Sequence, residues 1–319
     1  MAAPGRYDSR MARVRTPSGE QIELHFGSQQ AIVVEVGGGL RTYSAAGREL
    51  LDGYAADAQI PSGRGQVLIP WPNRLEDGSY EFDGRRHQAP IDDLAENDAI
   101  HGLVRWAAWS ARRRAPESVV MEHLIHPRPG YPFSLALGIE YTLSDAGLTV
   151  TTTATNTGHD PCPYGCGAHP YLTLGTEQID SLVLRAPGAT VLSSDERGLP
   201  TGRSPVVGTE YDFRQPIPIG STRLDSCFTD LERDGDGRAR VELTTEAGDA
   251  GITLWADEQY GYLMLFTGDP LPDVARRSLA VEPMTCPPNA FRTGEAVIRL
   301  EPGRSVTSTW GITPRHAAA

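Results

Sequence analysis

Residues 137–155 read L-G-I-E-Y-T-L-S-D-A-G-L-T-V-T-T-T-A-T. Apolar and polar side chains alternate on both sides of an Asp-Ala-Gly break at 145–147. A period of two sends successive side chains to opposite faces of a strand, so the stretch predicts a hairpin with one face turned to a core. A helix would need its apolar residues three and four apart, which neither half provides.

The same pattern recurs along the chain. Y-E-F-D-G-R-R-H-Q (80–88) predicts a hairpin around Asp83-Gly84, a dipeptide suited to positive φ at a tight turn. V-E-L-T-T-E-A-G-D-A-G-I-T-L-W-A (241–256) predicts a third hairpin, and V-I-R-L-E-P-G-R-S-V-T-S-T-W (297–310) a fourth. Near the start, 20–26 and 31–36 read as strands, with three glycines at 37–39 turning the chain. The best helical stretch, 44–57, is broken by Gly47 and Gly53. Short strands at this spacing, with no internal repeat and no low-complexity linker, predict an all-β protein: one large antiparallel sandwich spanning residues 1–319.

Composition excludes several functions. A net charge of −12 argues against a nucleic-acid surface. The first fifteen residues lack the apolar centre of a signal peptide, and no apolar run is long enough to span a membrane. Four cysteines without a secretion signal point to reduced thiols and a cytoplasmic protein. All 29 basic residues are arginine. With no lysine, Schiff-base chemistry and a Walker-type phosphate loop are both excluded.

Four segments set an ionisable group in glycine or proline scaffolding. In I-P-W-P-N-R-L-E-D-G (69–78), Arg74 offers a planar donor fork for hydroxyls or a phosphate, and Trp71 a stacking face; the plain alternative is a rigid lead into an edge strand. In N-D-A-I-H-G-L-V-R-W-A-A-W (97–109), His101, Arg105 and two tryptophans suit a sugar or anion pocket as well as a core edge. P-C-P-Y-G-C-G-A-H-P-Y-L (161–172) presents His169 either as a proton donor on a glycine-jointed strand or, with Cys162 and Cys166, as three zinc ligands. No second ligand pair follows, which weighs against zinc. In S-L-A-V-E-P-M-T-C-P-P-N-A-F (278–291), Glu282 ends an apolar run, where desolvation raises a carboxylate toward the range of a general base. Asp225, in R-L-D-S-C-F, is a second acidic candidate.

Taken in order, P-W-P-N-R-L-E-D-G-S-Y-E-F-D-G, I-H-G, G-A-H-P-Y, L-D-S-C-F and A-V-E-P-M-T-C-P-P-N-A-F resemble the aldose 1-epimerase (mutarotase) family over residues 70–291. The resemblance implies a large antiparallel β-supersandwich. It places the family's glutamate base on Glu282 and its histidine proton donor on His169. By the same match the substrate-binding positions are Asn73, Arg74, His101 and Asp225, with Tyr171 close by. The implied reaction opens a cyclic aldose at its anomeric carbon and recloses it on the other face. It needs no metal and no cofactor, and its only implied partner is a small sugar, handled by a monomer or homodimer.

Two departures bear on the substrate. Many relatives carry glutamine where Met264 stands in Y-L-M-L-F-T-G-D, so one sugar contact is altered. His-Gly-Leu-Val-Arg at 101–105 resembles the hexose-6-phosphate branch, in which the arginine binds phosphate, and Arg105 matches it. The P-W-P-N-R stretch goes with the unphosphorylated branch. The expectation is a free aldohexose, with a phosphosugar, or sugar binding without catalysis, as alternatives. Cys166, Cys227 and Cys286 lie close in sequence to His169, Asp225 and Glu282, and are expected to form apolar packing behind them.

Overall fold

The hairpin that opens the sequence reading forms as its alternation requires. Leu135–Ser144 pairs antiparallel with Gly147–Asn156, with Tyr141 opposite Val150. Leu135, Leu137, Ile139, Tyr141 and Leu143 are all buried. On the other face Thr151, Thr153 and Thr155 meet Thr309, Thr307 and Ser305 across the neighbouring strand, hydroxyl to hydroxyl at 3.4, 3.1 and 2.8 Å. The computed structural model describes residues 16–316 apart from residue 273.

Two large sheets organise the chain. The first has nine strands, in the order Ser110–Ala115, Ser118–Ile125, Leu135–Ser144, Gly147–Asn156, Ser305–His316, Ala250–Ala256, Ala239–Thr244, Val183–Arg185 and Ile217–Pro218. The second has eight. Its central strand, Leu279–Met284, is buried at every residue and lies between Tyr262–Phe266 on one side and Gly167–Ala168 with Tyr171–Leu172 on the other. Every ladder in both sheets is antiparallel. A four-stranded sheet from Gln21–Phe26 to Arg48–Glu49 flanks them, and one apolar cluster reaches from Ile22 to Ile312. Among the described residues the one helix is Ala290–Thr293, and no helix is long and apolar enough to cross a membrane.

The Asp83-Gly84 hairpin and the 241–256 hairpin form as expected. Residues 297–310 do not form a hairpin. Ile298–Leu300 pairs with Cys162–Tyr164, whereas Ser305–His316 joins the nine-stranded sheet. The reason lies in Asn156. Its side-chain amide donates to the Leu300 carbonyl at 2.8 Å, and its own carbonyl accepts from Gly303 N–H at 2.8 Å. The turn's backbone groups are met by a third strand, so the two halves are free to enter different sheets.

The outward threonine face and the inward apolar face are expected to differ sharply in mutational cost. Ile139→Ala should lower unfolding free energy by about 2–5 kcal/mol, and Thr153→Ala by about 0.5 kcal/mol or less. Urea denaturation of both variants checks this.

Candidate active site

Strand register brings the first two groups together. Gly167 pairs with Met284 and Tyr171 with Ala280, so His169 falls directly opposite Glu282 on the neighbouring strand. His169 Nε2 lies 3.3 Å from Glu282 Oε1, and both side chains are buried. Burial, with the charge of Asp225 adding to it and that of Arg74 opposing it, pushes the Glu282 carboxyl well above its usual range. Burial also lowers the His169 imidazole to about 3, helped by the positive charges of Arg64 and Arg105 and opposed by a backbone hydrogen bond.

His101 arrives by a different route. Arg74–Glu76 pairs with Asp98–Ile100, and Asn73 and His101 form the next pair along that ladder. Both adopt left-handed backbone, φ 55° for Asn73 and φ 62° for His101, a conformation that Asn and His enter more readily than most residues. His101 N–H still donates to the Asn73 carbonyl at 2.9 Å. The return bond goes to the side chain: Asn73 N–H donates to His101 Nδ1 at 3.2 Å. That bond assigns the tautomer, since an accepting Nδ1 leaves the ring's proton on Nε2. The Asn73 carboxamide oxygen accepts from Arg74 N–H at 2.8 Å, which leaves its NH₂ to donate elsewhere. The His101 and His169 rings meet edge to face, their centroids 5.3 Å apart.

These groups share a cavity of about 210 Å³. Asn73, Arg74, His101, His169, Tyr171, Asp225 and Glu282 line it, so seven of the eight residues expected from sequence converge there. Met264 lines it too, paired in register with Glu282 on one side and Cys227 on the other. Arg105 is not in the lining; its guanidinium bonds Asp92 at 2.7 Å. Arg74 is held loosely by Asp93 at 3.5 Å and Asp98 at 3.9 Å. Its Nε and Oε2 of Glu282 are buried without a hydrogen-bond partner in the protein, which suits a polar ligand. Ser62, Ile100, Phe266 and Leu271 complete the wall and carried no signal in the sequence.

The cysteines serve packing. All four are free and buried. Cys162 Sγ lies 3.8 Å from the Leu300 carbonyl and Cys166 Sγ 3.4 Å from Ser308 Oγ, so they do not converge with His169 on a zinc site. Cys227 packs with Leu192, Tyr262, Met264 and Met284, near enough to Glu282 for that charge to raise its thiol pKa further. The one described trio with metal-like spacing is His101, His169 and Glu282, whose ligand atoms lie within 4.8 Å of one another. Its outer shell is wrong for a metal. A metal-bound imidazole donates from its free nitrogen, whereas His101 Nδ1 accepts.

The family model for aldose 1-epimerase matches residues 20–313. The chain belongs to the aldose 1-epimerase family. It is 33% identical over 288 residues to the uncharacterized protein YihR of Escherichia coli K12, covering 90% of this chain and 91% of that protein. Human galactose mutarotase is 29% identical over 170 residues, about half of each chain (50% and 48%). Among solved structures, the GalM/aldose epimerase homologue of C. elegans superposes with a TM-score of 0.82 at 18% identity, over 94% of this chain and 99% of that one. Galactose 1-epimerase of Lactobacillus acidophilus gives 0.77 at 20% identity, over 93% and 95%. At those identities the structural likeness speaks for the fold, an antiparallel β-supersandwich of the galactose mutarotase type.

The site makes a spectroscopic prediction. Both imidazoles are held neutral by burial, His101 also by the charges of Arg105 and Arg74. Nitrogen-15 imidazole shifts at about pH 6 should show both rings neutral, with His101 protonated on Nε2. Titration of either ring near its ordinary value of about 6.5 would contradict the geometry.

Proposed function

We propose that this protein is a mutarotase for a free aldohexose, with Glu282 as general base and His169 as general acid. The observation that carries the reading is the buried, face-to-face placement of the two groups at 3.3 Å on the wall of an open cavity. The anomeric hydroxyl and the ring oxygen are bonded to the same carbon, so a base and an acid set close together can serve both at once.

In the proposed step, Glu282 takes the proton from the anomeric hydroxyl while the C1–O5 bond breaks. The electron pair leaves on O5, which takes a proton from His169. The open aldehyde turns about C1–C2 and recloses by the same two transfers in reverse, which exchanges the roles of the two groups. A raised carboxyl pKa makes Glu282 a stronger base once ionised, and a lowered imidazole pKa makes His169 a stronger acid once protonated. His101, with its proton on Nε2, donates a hydrogen bond to the sugar's ring-oxygen side. Asn73, Arg74 and Asp225 hold the remaining hydroxyls, and Tyr171 forms part of the wall beside them.

Support for an uncharged sugar comes from the cavity's charge. Its lining holds one arginine, Arg74, which already lies beside Asp93 and Asp98, while Arg105 is occupied by Asp92. A phosphate would find a single, already shared cation there. A sugar-binding role without catalysis gives no account of a buried acid and base in contact.

Polarimetry on fresh α-D-glucose, α-D-galactose and glucose 6-phosphate tests the reading. Glu282→Gln and His169→Asn are each expected to reduce mutarotation by about 10²-fold or more, with unfolding curves close to wild type. Full activity in Glu282→Gln would defeat the assignment. A free aldose is expected to be turned over faster than glucose 6-phosphate, and Arg105→Ala to leave the free-sugar rate within about twofold. A selective loss on the phosphosugar in Arg105→Ala would favour the phosphorylated substrate instead.

A further inference from the structure

Near His169 stands a buried cation that the proton-transfer scheme does not use. Arg64 is 3% exposed. Its guanidinium carbon lies 4.3 Å from the centroid of the Tyr171 ring. The His169 imidazole lies parallel to that ring, with an interplanar angle of 11° and centroids 5.0 Å apart. A guanidinium and the imidazole thus both pack on Tyr171.

Each layer is pinned. Arg64 Nη2 donates to Asp52 Oδ2 at 3.0 Å, and Asp52 is fixed in turn by Arg277 at 2.7 and 3.1 Å and by Ser278 Oγ at 2.8 Å. Tyr171 donates its hydroxyl to the Ser62 carbonyl at 2.9 Å. The Ser62–Gly65 turn closes on His169 itself: Gly65 N–H donates to the His169 carbonyl at 2.9 Å, and His169 N–H to the Gln66 carbonyl at 3.1 Å. Gly63, at φ 75°, sits so close that a Cβ there would lie 2.8 Å from His169 Cδ2. A buried arginine–aspartate pair adds little to stability, because desolvation cancels most of the attraction. A planar cation over an aromatic face does have a directional effect, which a hydrophobic side chain would not supply.

We propose that Arg64 is a positioning residue for proton transfer at His169, acting through the Tyr171 ring on which both pack. The stack fixes the imidazole plane so that Nε2 meets Glu282 Oε1, and the cation disfavours imidazolium, so the proton His169 carries is given up readily. The groups facing the imidazole are Glu282, His101 and Tyr171, with the positive charges of Arg64, packed on Tyr171, and Arg105 also acting on it. The inference rests on the acid role of His169 proposed above.

The test compares the full-length wild type with Arg64→Met and Arg64→Lys, measuring mutarotation of glucose and galactose and the His169 imidazole shift against pH. Arg64→Met should lower kcat on the order of 10- to 100-fold with KM within about twofold, since the contact is not to substrate. Removing the cation stabilises imidazolium, so His169 should titrate at higher pH in Arg64→Met than in wild type. Arg64→Lys keeps the charge beside Asp52 and should restore the His169 titration and part of kcat. If Arg64→Met folds poorly, Arg64→Met/Asp52→Asn removes both charges and should show the same two effects. Unchanged kcat with unchanged His169 titration overturns the inference. Equal losses in the Met and Lys variants, tracking lost thermal stability, overturn it as well. An inactive wild type whose His169 titration still moves in Arg64→Met would defeat the mutarotase reading and leave the coupling standing.

Discussion

His169 and Glu282 face each other across two strands at 3.3 Å, both buried at the wall of the cavity. An isolated charge at such a depth is costly, so burial raises the carboxyl pKa and lowers that of the imidazole, and the rest of the site is arranged around that constraint. Leu279–Met284 must be central, because a strand at an edge would leave Glu282 wet. Gly167–Ala168 and Tyr171–Leu172 must share one register along it, because a slip of a single residue would turn His169 to the opposite face.

A second constraint sits in the wall of the same cavity. Asn73 and His101 form the last rung of a short ladder, and both leave it in left-handed backbone. In leaving, they replace one backbone hydrogen bond with a bond from Asn73 N–H to an imidazole nitrogen. The exchange sets the tautomer of His101 with its proton on Nε2, and it separates the two histidines by environment: His101 Nδ1 accepts from backbone, while His169 Nε2 faces the Glu282 carboxyl. Ile100, Met264, Phe266 and Leu271 add apolar contact to the same lining. A cavity with convergent polar groups and apolar contact suits a sugar ring, which presents both hydroxyls and carbon faces.

Much of the fold was legible in period-two alternation, because the large sheets bury one face and expose the other. The 297–310 stretch misled for a physical reason: its turn is satisfied by Asn156, distant in sequence, and local pattern carries no trace of a distant partner. The site was legible where glycine and proline bracket an ionisable group, as around His169, Glu282 and Asn73-Arg74. It was not legible in Phe266 and Leu271, apolar residues with nothing local to set them apart from core. Arg64 was missed as well, since P-S-G-R-G reads as an exposed turn and its burial depends on Asp52 and Tyr171. Arg105 was singled out by its place in His-Gly-Leu-Val-Arg, yet its guanidinium turns to Asp92.

The central claim is that this pair of groups interconverts the anomers of a free aldose. Two-dimensional exchange NMR on the anomeric protons of glucose and galactose, at anomeric equilibrium with wild-type protein added, measures that interconversion without a coupling enzyme. The account predicts exchange cross-peaks between α and β signals at mixing times where buffer shows none. Sugar signals broadened by binding, with exchange no faster than in buffer, would contradict it.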